Sequence, residues 1–154
     1  MGSPIRSAKP PDLPLLGTLM GEFYSESGYP LDRALASAAL SELLGDARLG
    51  QVWLILASDE VVGYVAVTFG FSLEYHGRDG IIDELFVRPG FRGAGLATRV
   101  LGAVEAECAD QGIRALHLEV ERDNPAGQAL YRRRGFRGND RQLLSKRLLG
   151  DDQA

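Results

Sequence analysis

One short turn, Arg92-Gly93-Ala94-Gly95-Leu96-Ala97, has the residue types of an anion-binding site. It joins an apolar strand-like run to the start of an apolar helix, and its small residues let a ligand approach the backbone. The first N–H groups of a helix lack partners within the helix and lie at the positive end of its dipole. The turn is therefore predicted to hold an anionic group such as a pyrophosphate.

Several protein families bind phosphate in this way, and the spacing of the turn separates them. A P-loop requires Lys followed by Ser or Thr after its last glycine, whereas Gly95 is followed by Leu96. A Rossmann fingerprint would place its third glycine at Thr98 and would normally lie in the first βαβ unit of a larger domain. Neither pattern fits. A tight strand-to-helix turn without a ligand is the alternative that the turn alone leaves open.

The elements that must position this turn follow from the hydrophobic periodicity. They are a short strand at 4–8, a helix that the side chain of Asp12 is expected to cap, a second helix beginning after Asp32, a hairpin of strands at 52–57 and 61–71, a strand at 81–87, a helix at 97–112, a strand at 115–120, a helix at 124–134 and a final strand at 142–148. This order contains one βαβ crossover from Ile81 through Val120. It predicts an α/β fold with a mixed sheet and helices packed on it.

The composition excludes several classes of function. A length of 154 residues and an apolar share of 45% fit one globular domain. A net charge of −4, with only Arg132-Arg133-Arg134 clustered, argues against a nucleic-acid partner. No apolar run is long enough to span a membrane and no signal-peptide pattern follows Met1, so no membrane partner and a cytoplasmic location are expected. Cys108, the single cysteine, is predicted to be a small core residue.

A second motif, Asn124-Pro125-Ala126-Gly127-Gln128-Ala129-Leu130-Tyr131-Arg132-Arg133-Arg134-Gly135-Phe136, follows further along the chain. It resembles Asn-x-x-Ala-x-x-Leu-Tyr-x-x-x-Gly-Phe, a signature of the GNAT N-acetyltransferase superfamily. The glycine turn resembles the other signature, Arg/Gln-x-x-Gly-x-Gly/Ala, at Arg92, Gly95 and Ala97. One position departs from the pattern, because Gly127 stands where Ala is usual. That change costs roughly 1 kcal/mol of helix propensity.

The resemblance implies a single GNAT-like domain over residues 1–150, followed by a tail at 151–154. Its α/β fold would have a mixed, mostly antiparallel central sheet flanked by helices. The implied reaction is transfer of an acetyl group from acetyl-CoA, as co-substrate, to a primary amine of a small molecule by direct attack. The acceptor would be of polyamine, amino-acid or aminoglycoside type. Acetylation of a protein or peptide N-terminus and a non-catalytic acyl-CoA-binding sensor are the alternatives, and a homodimer is a possibility common in the superfamily.

The resemblance also assigns residues to the co-substrate. The backbone of the strand before the turn would pair with the pantetheine amides, and Asn124 would bond the pantetheine arm or the acceptor region. The implied acetyl-CoA set is Leu85, Phe86, Val87, Arg92, Gly93, Ala94, Gly95, Leu96, Ala97, Thr98 and Asn124. Tyr131 would protonate the departing thiolate, a role that suits a phenol because it is protonated at neutral pH.

An amine must lose a proton before it attacks a thioester. With a pKa near 10.4, only about one amine in 2,500 is free at pH 7, which costs roughly 4.6 kcal/mol. A carboxylate acting directly or through a water would offset part of that cost. Asp83 and Glu84 are adjacent on one predicted strand, so they face opposite sides unless a bulge intervenes. Glu119 resembles the general base of the ribosomal-protein alanine acetyltransferases, and Glu84 and Glu119 are both named as candidates.

The acceptor side is assigned from the superfamily's use of its first two helices and the loop before the central strand. Aromatic residues interleaved with acids in those segments suit a cationic, partly apolar acceptor. The predicted acceptor-binding residues are Glu22, Tyr24, Tyr29, Glu74 and Asp83. His76 and His117 are too far apart and too poorly accompanied to suggest a metal site, so no metal is expected.

Overall fold

A five-stranded sheet in the order β1-β2-β3-β4-β5 forms the centre of the structure, a computed structural model that describes residues 2–150. The predicted tail at 151–154 lies outside the described residues. In chain order the elements are β1 (Ile5–Ser7), α1 (Leu13–Ser27), α2 (Arg33–Gly45), β2 (Gly50–Ala57), β3 (Glu60–Ser72), β4 (Gly77–Val87), α3 (Leu96–Asp110), β5 (Leu116–His117) and α4 (Pro125–Arg133). Single 3-10 turns at Pro10–Asp12 and Pro89–Phe91 precede α1 and α3.

The sheet is antiparallel from β1 to β4, and only β5 runs parallel to its neighbour. The hairpin between β2 and β3 turns on Ser58 and Asp59, whose φ angles of 49° and 67° are typical of a two-residue turn that matches strand twist. The predicted α/β class, with a mixed and mostly antiparallel sheet flanked by helices, is confirmed.

Two apolar layers cover the two faces of the sheet. On one face α3 buries Val100, Leu101 and Val104 against strand residues such as Trp53 and Val65. On the other face α1 and α2 pack on alternate strand residues, with Leu16, Leu19, Leu40, Leu54, Tyr64 and Phe86 buried there. The period-two alternation of β3 and β4 thus sends neighbouring side chains to different layers. Cys108 lies in the α3 layer with 1% of its surface exposed, as predicted.

A bulge in β4 changes which face its later residues meet. Ala66 pairs with Glu84 while Val67 pairs with Ile82, so Asp83 is an extra residue opposite β3. Ile82 packs in the α3 layer, yet Glu84, two residues later, lies on the α1 face beside Tyr64. A regular strand would have put both on one face. The bulge therefore decides that Glu84 enters the α1 layer.

Three local predictions were wrong. The predicted strand at 115–120 is reduced to Leu116–His117, because β5 diverges from β4 after Ile81. The predicted strand at 142–148 has no strand pairing among the described residues, and its side chains are exposed. The Asp12 side chain makes no cap for α1; it instead accepts from the Lys9 N–H at 2.8 Å and pairs with Arg6. Asp32 does cap α2, accepting from the Leu35 N–H at 3.1 Å.

Within residues 2–150, no helix combines the length and the apolar character that crossing a membrane requires.

Candidate active site

The glycine turn between β4 and α3 has the backbone conformation that its glycines predict. Gly93 and Gly95 have φ angles of 83° and 80°, in the left-handed region that side chains disfavour. Gly95 is the N-cap residue of α3, which begins at Leu96. No side-chain hydrogen bond caps this end of the helix. No atom outside their chain neighbours lies within 4 Å of where a Cβ would stand on either glycine. The turn is therefore open on the side where a ligand would approach.

Six consecutive N–H groups, from Gly93 to Thr98, make no hydrogen bond to any group among residues 2–150. Three belong to the turn and three to the first turn of α3. Backbone donors grouped at a helix N-terminus attract anions, since they add hydrogen bonds to the positive end of the dipole. The donor set and the missing Cβ atoms together fit a pyrophosphate group.

Arg92 is directed away from this set of donors. Its guanidinium donates to the carbonyl of Val87 at 2.7 Å and pairs with Glu26 of α1 at 2.8 Å. The same group lies 5.7 Å from the centre of the Phe86 ring, within cation–π range. Arg92 thus holds the turn against α1, and the backbone rather than this side chain offers the anion contacts.

The edge of β4 that faces β5 is open from Ile82 onward. β5 pairs with β4 only at Gly80 with Leu116 and Ile81 with His117. On its other edge β4 stays paired with β3, with Leu85 opposite Val65. The backbone of Leu85 to Val87 therefore has one unpaired edge that leads directly to the glycine turn. An extended ligand arm could be bound there by strand-like hydrogen bonds.

Glu84 is held between two tyrosine hydroxyls. Tyr64 of β3 donates to its Oε1 at 2.7 Å, and Tyr24 of α1 donates to its Oε2. Burial raises the pKa of the Glu84 carboxyl above its usual value, the two tyrosine hydrogen bonds oppose the rise, and the nearby charge of Asp83 adds to it. Burial and Glu84 also raise the pKa of both phenols, so they stay protonated donors. The cluster is therefore a half-buried carboxyl whose pKa is raised and whose two oxygens are both held by hydrogen bonds.

Asp83, the extra residue of the bulge, is exposed and makes no side-chain hydrogen bond among the described residues. Of the two adjacent acids, Glu84 has the half-buried, hydrogen-bonded environment that is typical of reacting carboxyls. Asp83 contributes charge to that environment.

Glu119 and Tyr131 line a second region, a groove of about 1160 Å³ between β5, α4 and residues 139–144. The Tyr131 ring packs edge-on against Phe136 with centroids 6.1 Å apart, and burial raises the pKa of its phenol. Burial is the one cause of that rise, and no hydrogen bond to the hydroxyl from residues 2–150 contributes to it. Glu119 lines this groove whereas Glu84 does not, so the two candidate bases lie in different surroundings.

Asn124 caps α4. Its Oδ1 accepts from the N–H of Gly127 at 3.0 Å. A Cβ on Gly127 would stand 2.6 Å from the Asn124 Nδ2, closer than real contacts permit. The departure from the family signature at position 127 therefore makes room for this cap.

The predicted acceptor-binding residues are mostly engaged with other side chains. Glu22 pairs with Arg88 at 3.0 Å, and Glu74 pairs with Arg141 at 3.1 Å. Tyr29 donates to Glu121 at 2.8 Å, which joins the loop after α1 to the loop after β5. Of the five, only Tyr24 contacts a predicted catalytic residue, Glu84. Among residues 2–150 no group of three or more His, Cys, Asp or Glu is placed to hold a metal ion.

Two contributing residues were not singled out by the sequence. Tyr64 has 1% of its surface exposed, so its hydroxyl needs an internal partner, and a tyrosine within an otherwise apolar strand run was the signal for this. Arg88 follows β4 and donates from Nε and an Nη to both oxygens of Glu22. In the sequence, the only feature that pointed to Arg88 was its position beside the glycine turn.

Comparison with known proteins agrees with this arrangement. The model of the Acetyltransferase (GNAT) family matches residues 16–136. That span includes the glycine turn, the Glu84 cluster and the second motif. The chain therefore belongs to the GNAT acetyltransferase family, which is a family of acyltransferases that use acetyl-CoA.

Individual relatives share the fold over most of the chain. An integron cassette protein from the mobile metagenome of Cole Harbour salt marsh is 41% identical, with a TM-score of 0.85 over 96% of this chain and 92% of that one. A protein described as a predicted acetyltransferase with acetyl-CoA, from Clostridium acetobutylicum, is 21% identical, with a TM-score of 0.77 over 92% and 94%. An uncharacterized N-acetyltransferase of Mycobacterium tuberculosis is 30% identical over 109 residues, which are 71% of this chain and 66% of that protein.

Proposed function

We propose that this protein transfers the acetyl group of acetyl-CoA to a primary amine of a small molecule. The observation that carries the proposal is the Glu84 carboxyl, half-buried between the hydroxyls of Tyr24 and Tyr64 on the strand that leads into the glycine turn. The strand that carries Glu84, a carboxyl with a raised pKa, therefore also leads into a turn that can bind an anion. Their combination suits a reaction between an anionic thioester donor and an amine that must lose a proton.

Donor binding is supported by the backbone. The N–H groups from Gly93 to Thr98 would hold the pyrophosphate of acetyl-CoA, and the open edge of Leu85 to Val87 would bind the pantetheine amides. In this arrangement the reacting end of the co-substrate would lie in the cleft where β4 and β5 diverge. When bound, acetyl-CoA supplies an acyl group activated as a thioester.

In the proposed reaction, Glu84 accepts the ammonium proton of the acceptor, directly or through a water. Because burial raises the pKa of its carboxyl, the pKa gap between base and amine is narrower than for an exposed glutamate. The two tyrosines fix the carboxyl in one orientation. Tyr131, whose phenol burial keeps protonated, donates its proton to the leaving thiolate.

The acceptor class rests on the charge around the cleft. Asp83 is exposed beside Glu84, while Tyr24 and Phe23 of α1 pack at the same place. Acids and aromatic faces together favour a cation with apolar carbon, which describes an aliphatic amine. Polyamines, amino acids and aminoglycosides all fit that description.

The test is release of coenzyme A thiol from acetyl-CoA in the presence of polyamines, amino acids, aminoglycosides or short peptides. We expect turnover with at least one small amine, and its loss by roughly 10²-fold or more in Glu84→Gln. Asp83→Asn is the matched control because it removes the neighbouring charge without touching the tyrosines. Turnover with peptides alone, or with no amine, would contradict the proposal.

N-terminal acetylation of a protein or peptide is the second candidate, because Glu119 and Tyr131 share the groove beside β5. It predicts that Glu119→Gln, and not Glu84→Gln, abolishes turnover of a peptide acceptor. An acyl-CoA-binding sensor predicts acetyl-CoA binding with no thiol release for any acceptor.

A further inference from the structure

Asp79 of β4 and His117 of β5 form a hydrogen-bonded pair outside the cluster around Glu84. The Nε2 atom of His117 lies 2.9 Å from Oδ2 of Asp79, and the two side chains are 35% and 16% exposed, respectively. The Tyr75 ring packs edge-on against the imidazole, with the ring centroids 5.3 Å apart. A carboxylate and an aromatic neighbour therefore orient the imidazole, which can still be reached from solvent.

The pair lies on the same face of the sheet as the proposed base. A Cβ on Gly80 would meet side chains of the α3 layer, so Asp79 and Ile81, on either side of it, point to the α1 face. His117 is the register partner of Ile81 on the parallel strand and shares that face. The bulge in β4 brings Glu84 to it as well. The pair and the base thus border one surface.

Ile81 forms an exposed apolar floor between the pair and Glu84, with 44% of its surface exposed. The β3 partners of Ile81 and Glu84 are two residues apart, which separates these two by roughly 7 Å along β4. His117 lies one strand across, at roughly 5 Å from Ile81, so its Cα is roughly 8 Å from that of Glu84. A short aliphatic chain lying over Ile81 would fit between the two side chains.

The hydrogen-bonding state of the pair suits a ligand that donates. A carboxylate can only accept, so Nε2 of His117 carries the hydrogen that it shares with Asp79. In a neutral ring the other nitrogen, Nδ1, is then a hydrogen-bond acceptor. A pair in this state carries one net negative charge, and it can accept a hydrogen bond from an ammonium group.

The charges around the pair also favour a cation over an anion. Arg78, the only basic residue of β4, turns to the other face, where its guanidinium lies 5.1 Å from the centre of the Phe69 ring. Asp79 and Glu84 are both acidic and both on the α1 face. A carboxylate ligand would be repelled by these acids, whereas a ligand with two ammonium groups would be attracted at both ends.

We propose that Asp79 and His117 form a second acceptor subsite, which binds a second cationic nitrogen while the reacting amine lies at Glu84. His117 contacts this nitrogen through Nδ1, and Asp79 orients the imidazole and supplies the negative charge. The acceptor is then a short aliphatic diamine, or the end of a longer polyamine, with its carbon chain over Ile81. This inference rests on the proposed acetyl transfer and narrows its acceptor class.

The first test compares acceptors of equal carbon-chain length in the thiol-release assay. Putrescine has a second ammonium group where butylamine has a methyl group and γ-aminobutyrate has a carboxylate. We expect kcat/KM to fall in that order. The step from putrescine to butylamine should be about 10- to 100-fold, which is what a hydrogen bond to a charged group contributes. Butylamine or γ-aminobutyrate acetylated as well as putrescine would overturn the subsite.

The second test removes the pair. Asp79→Asn removes its negative charge, and His117→Phe removes both ring nitrogens but keeps a ring to pack on Tyr75. We expect each to lower kcat/KM for putrescine about 10-fold or more, chiefly through KM, and to lower that for butylamine much less. His76→Asn is the matched control, because His76 is exposed and its φ of 66° is one that Asn tolerates. Equal losses for the two amines would show a merely structural effect.

A third measurement does not depend on turnover. The chain has two histidines, so in His76→Asn the remaining imidazole proton signal in NMR belongs to His117. We expect putrescine to shift that signal, with or without coenzyme A present, and butylamine at the same concentration to shift it less. If no amine is acetylated, the acetyl-transfer proposal fails, and the shift by itself then decides whether the subsite exists. No shift with millimolar putrescine would overturn the subsite even if acetyl transfer is observed.

Discussion

The Oε1 atom of Glu84 on β4 lies 2.7 Å from the hydroxyl of Tyr64 on the adjacent strand β3. Tyr24, from α1, donates to the other carboxylate oxygen. A carboxyl so placed is buried enough for its pKa to be raised, yet it keeps two hydrogen bonds that lower the pKa again. The effect of these hydrogen bonds on the pKa of Glu84 can be tested, because each tyrosine hydroxyl can be removed separately.

Removing the carboxyl itself should cost most. For Glu84→Gln we expect kcat with the best amine to fall about 10²–10⁴-fold at pH 7, since general base catalysis is lost. The amide keeps the size of the side chain and can still accept from one tyrosine. Steady-state thiol release is the measurement, with Asp83→Asn as the comparison. Equal losses in the two variants would mean that charge near the bulge, and not the base at position 84, is what matters.

Removing a hydrogen-bond donor should shift the pH dependence in a defined direction. The Tyr64 hydroxyl stabilises the ionised carboxyl, so its loss in Tyr64→Phe raises the pKa of Glu84 further. The acidic limb of kcat/KM, which follows ionisation of Glu84, should therefore move to higher pH. Tyr29→Phe, whose hydroxyl contacts Glu121 instead, should leave the limb in place. A limb that moves to lower pH in Tyr64→Phe would refute this reading of the cluster.

Tyr131→Phe tests proton donation to the leaving group. We expect kcat to fall about 10²-fold or more, because a general acid contributes on the order of 10²–10⁴-fold. Binding of acetyl-CoA by calorimetry should change little, since the ring and its packing on Phe136 are kept. Tyr75→Phe is the control for loss of a tyrosine hydroxyl at the surface. An unchanged kcat would remove Tyr131 from the mechanism.

Gly95→Ala tests the glycine turn. A side chain at a φ of 80° costs about 1–2 kcal/mol, and relief of that strain would turn the free N–H groups away from the ligand. We expect weaker acetyl-CoA binding and a higher KM for acetyl-CoA, with amine KM little affected. Gly90→Ala is the matched control, because Gly90 has neither a positive φ nor a close neighbour. If both variants bind acetyl-CoA like the parent, the turn is not the donor site.

Gly127→Ala tests why the second motif departs from its family pattern. Ala normally gains about 1 kcal/mol over Gly inside a helix. Here the new Cβ would displace the Asn124 side chain, whose cap contributes about 1 kcal/mol. We expect almost no gain in the free energy of unfolding, whereas Gly17→Ala in α1, with open space around it, should show the full gain.

The matching double-mutant cycle measures the effect of Gly127→Ala in a protein that already carries Asn124→Ala. With the cap already absent, Gly127→Ala should recover the ordinary gain of about 1 kcal/mol in chemical denaturation. A full gain from Gly127→Ala in the parent would show that Asn124 and Gly127 do not compete for space.

The sequence was sufficient to predict the features that depend on a few consecutive residues. The glycine turn, the start of α2 after Asp32 and the hairpin at Ser58–Asp59 depend on backbone preferences of a few consecutive residues. The same holds for the spacing of Asn124 and Tyr131 on one helix. These features identified the family, and the family model that matches residues 16–136 agrees.

Other features depend on contacts between residues that are far apart in the sequence. Leucines at 142–149 have strand-like character, but a strand forms only where an edge is available, and within residues 2–150 none takes this segment up. In the structure Arg92 pairs with Glu26 of α1, which lies 66 positions away in the sequence, and the spacing of the turn gave no sign of this pair. The spacing of residues along the sequence does not show which of several distant groups a side chain or a segment will pair with.

The glycine turn, the fold class and a short set of candidate acids came from the sequence alone, because local backbone preferences and hydrophobic periodicity determine them. Only the tertiary structure decided which of these acids has a raised pKa and accepts hydrogen bonds from two tyrosines. The bulge at Asp83 sends Glu84 to the α1 face, where Tyr24, 60 residues earlier, and Tyr64, 20 residues earlier, meet it. That choice depends on strand register and helix packing, since contacts between residues far apart in the chain exist only once the core has formed.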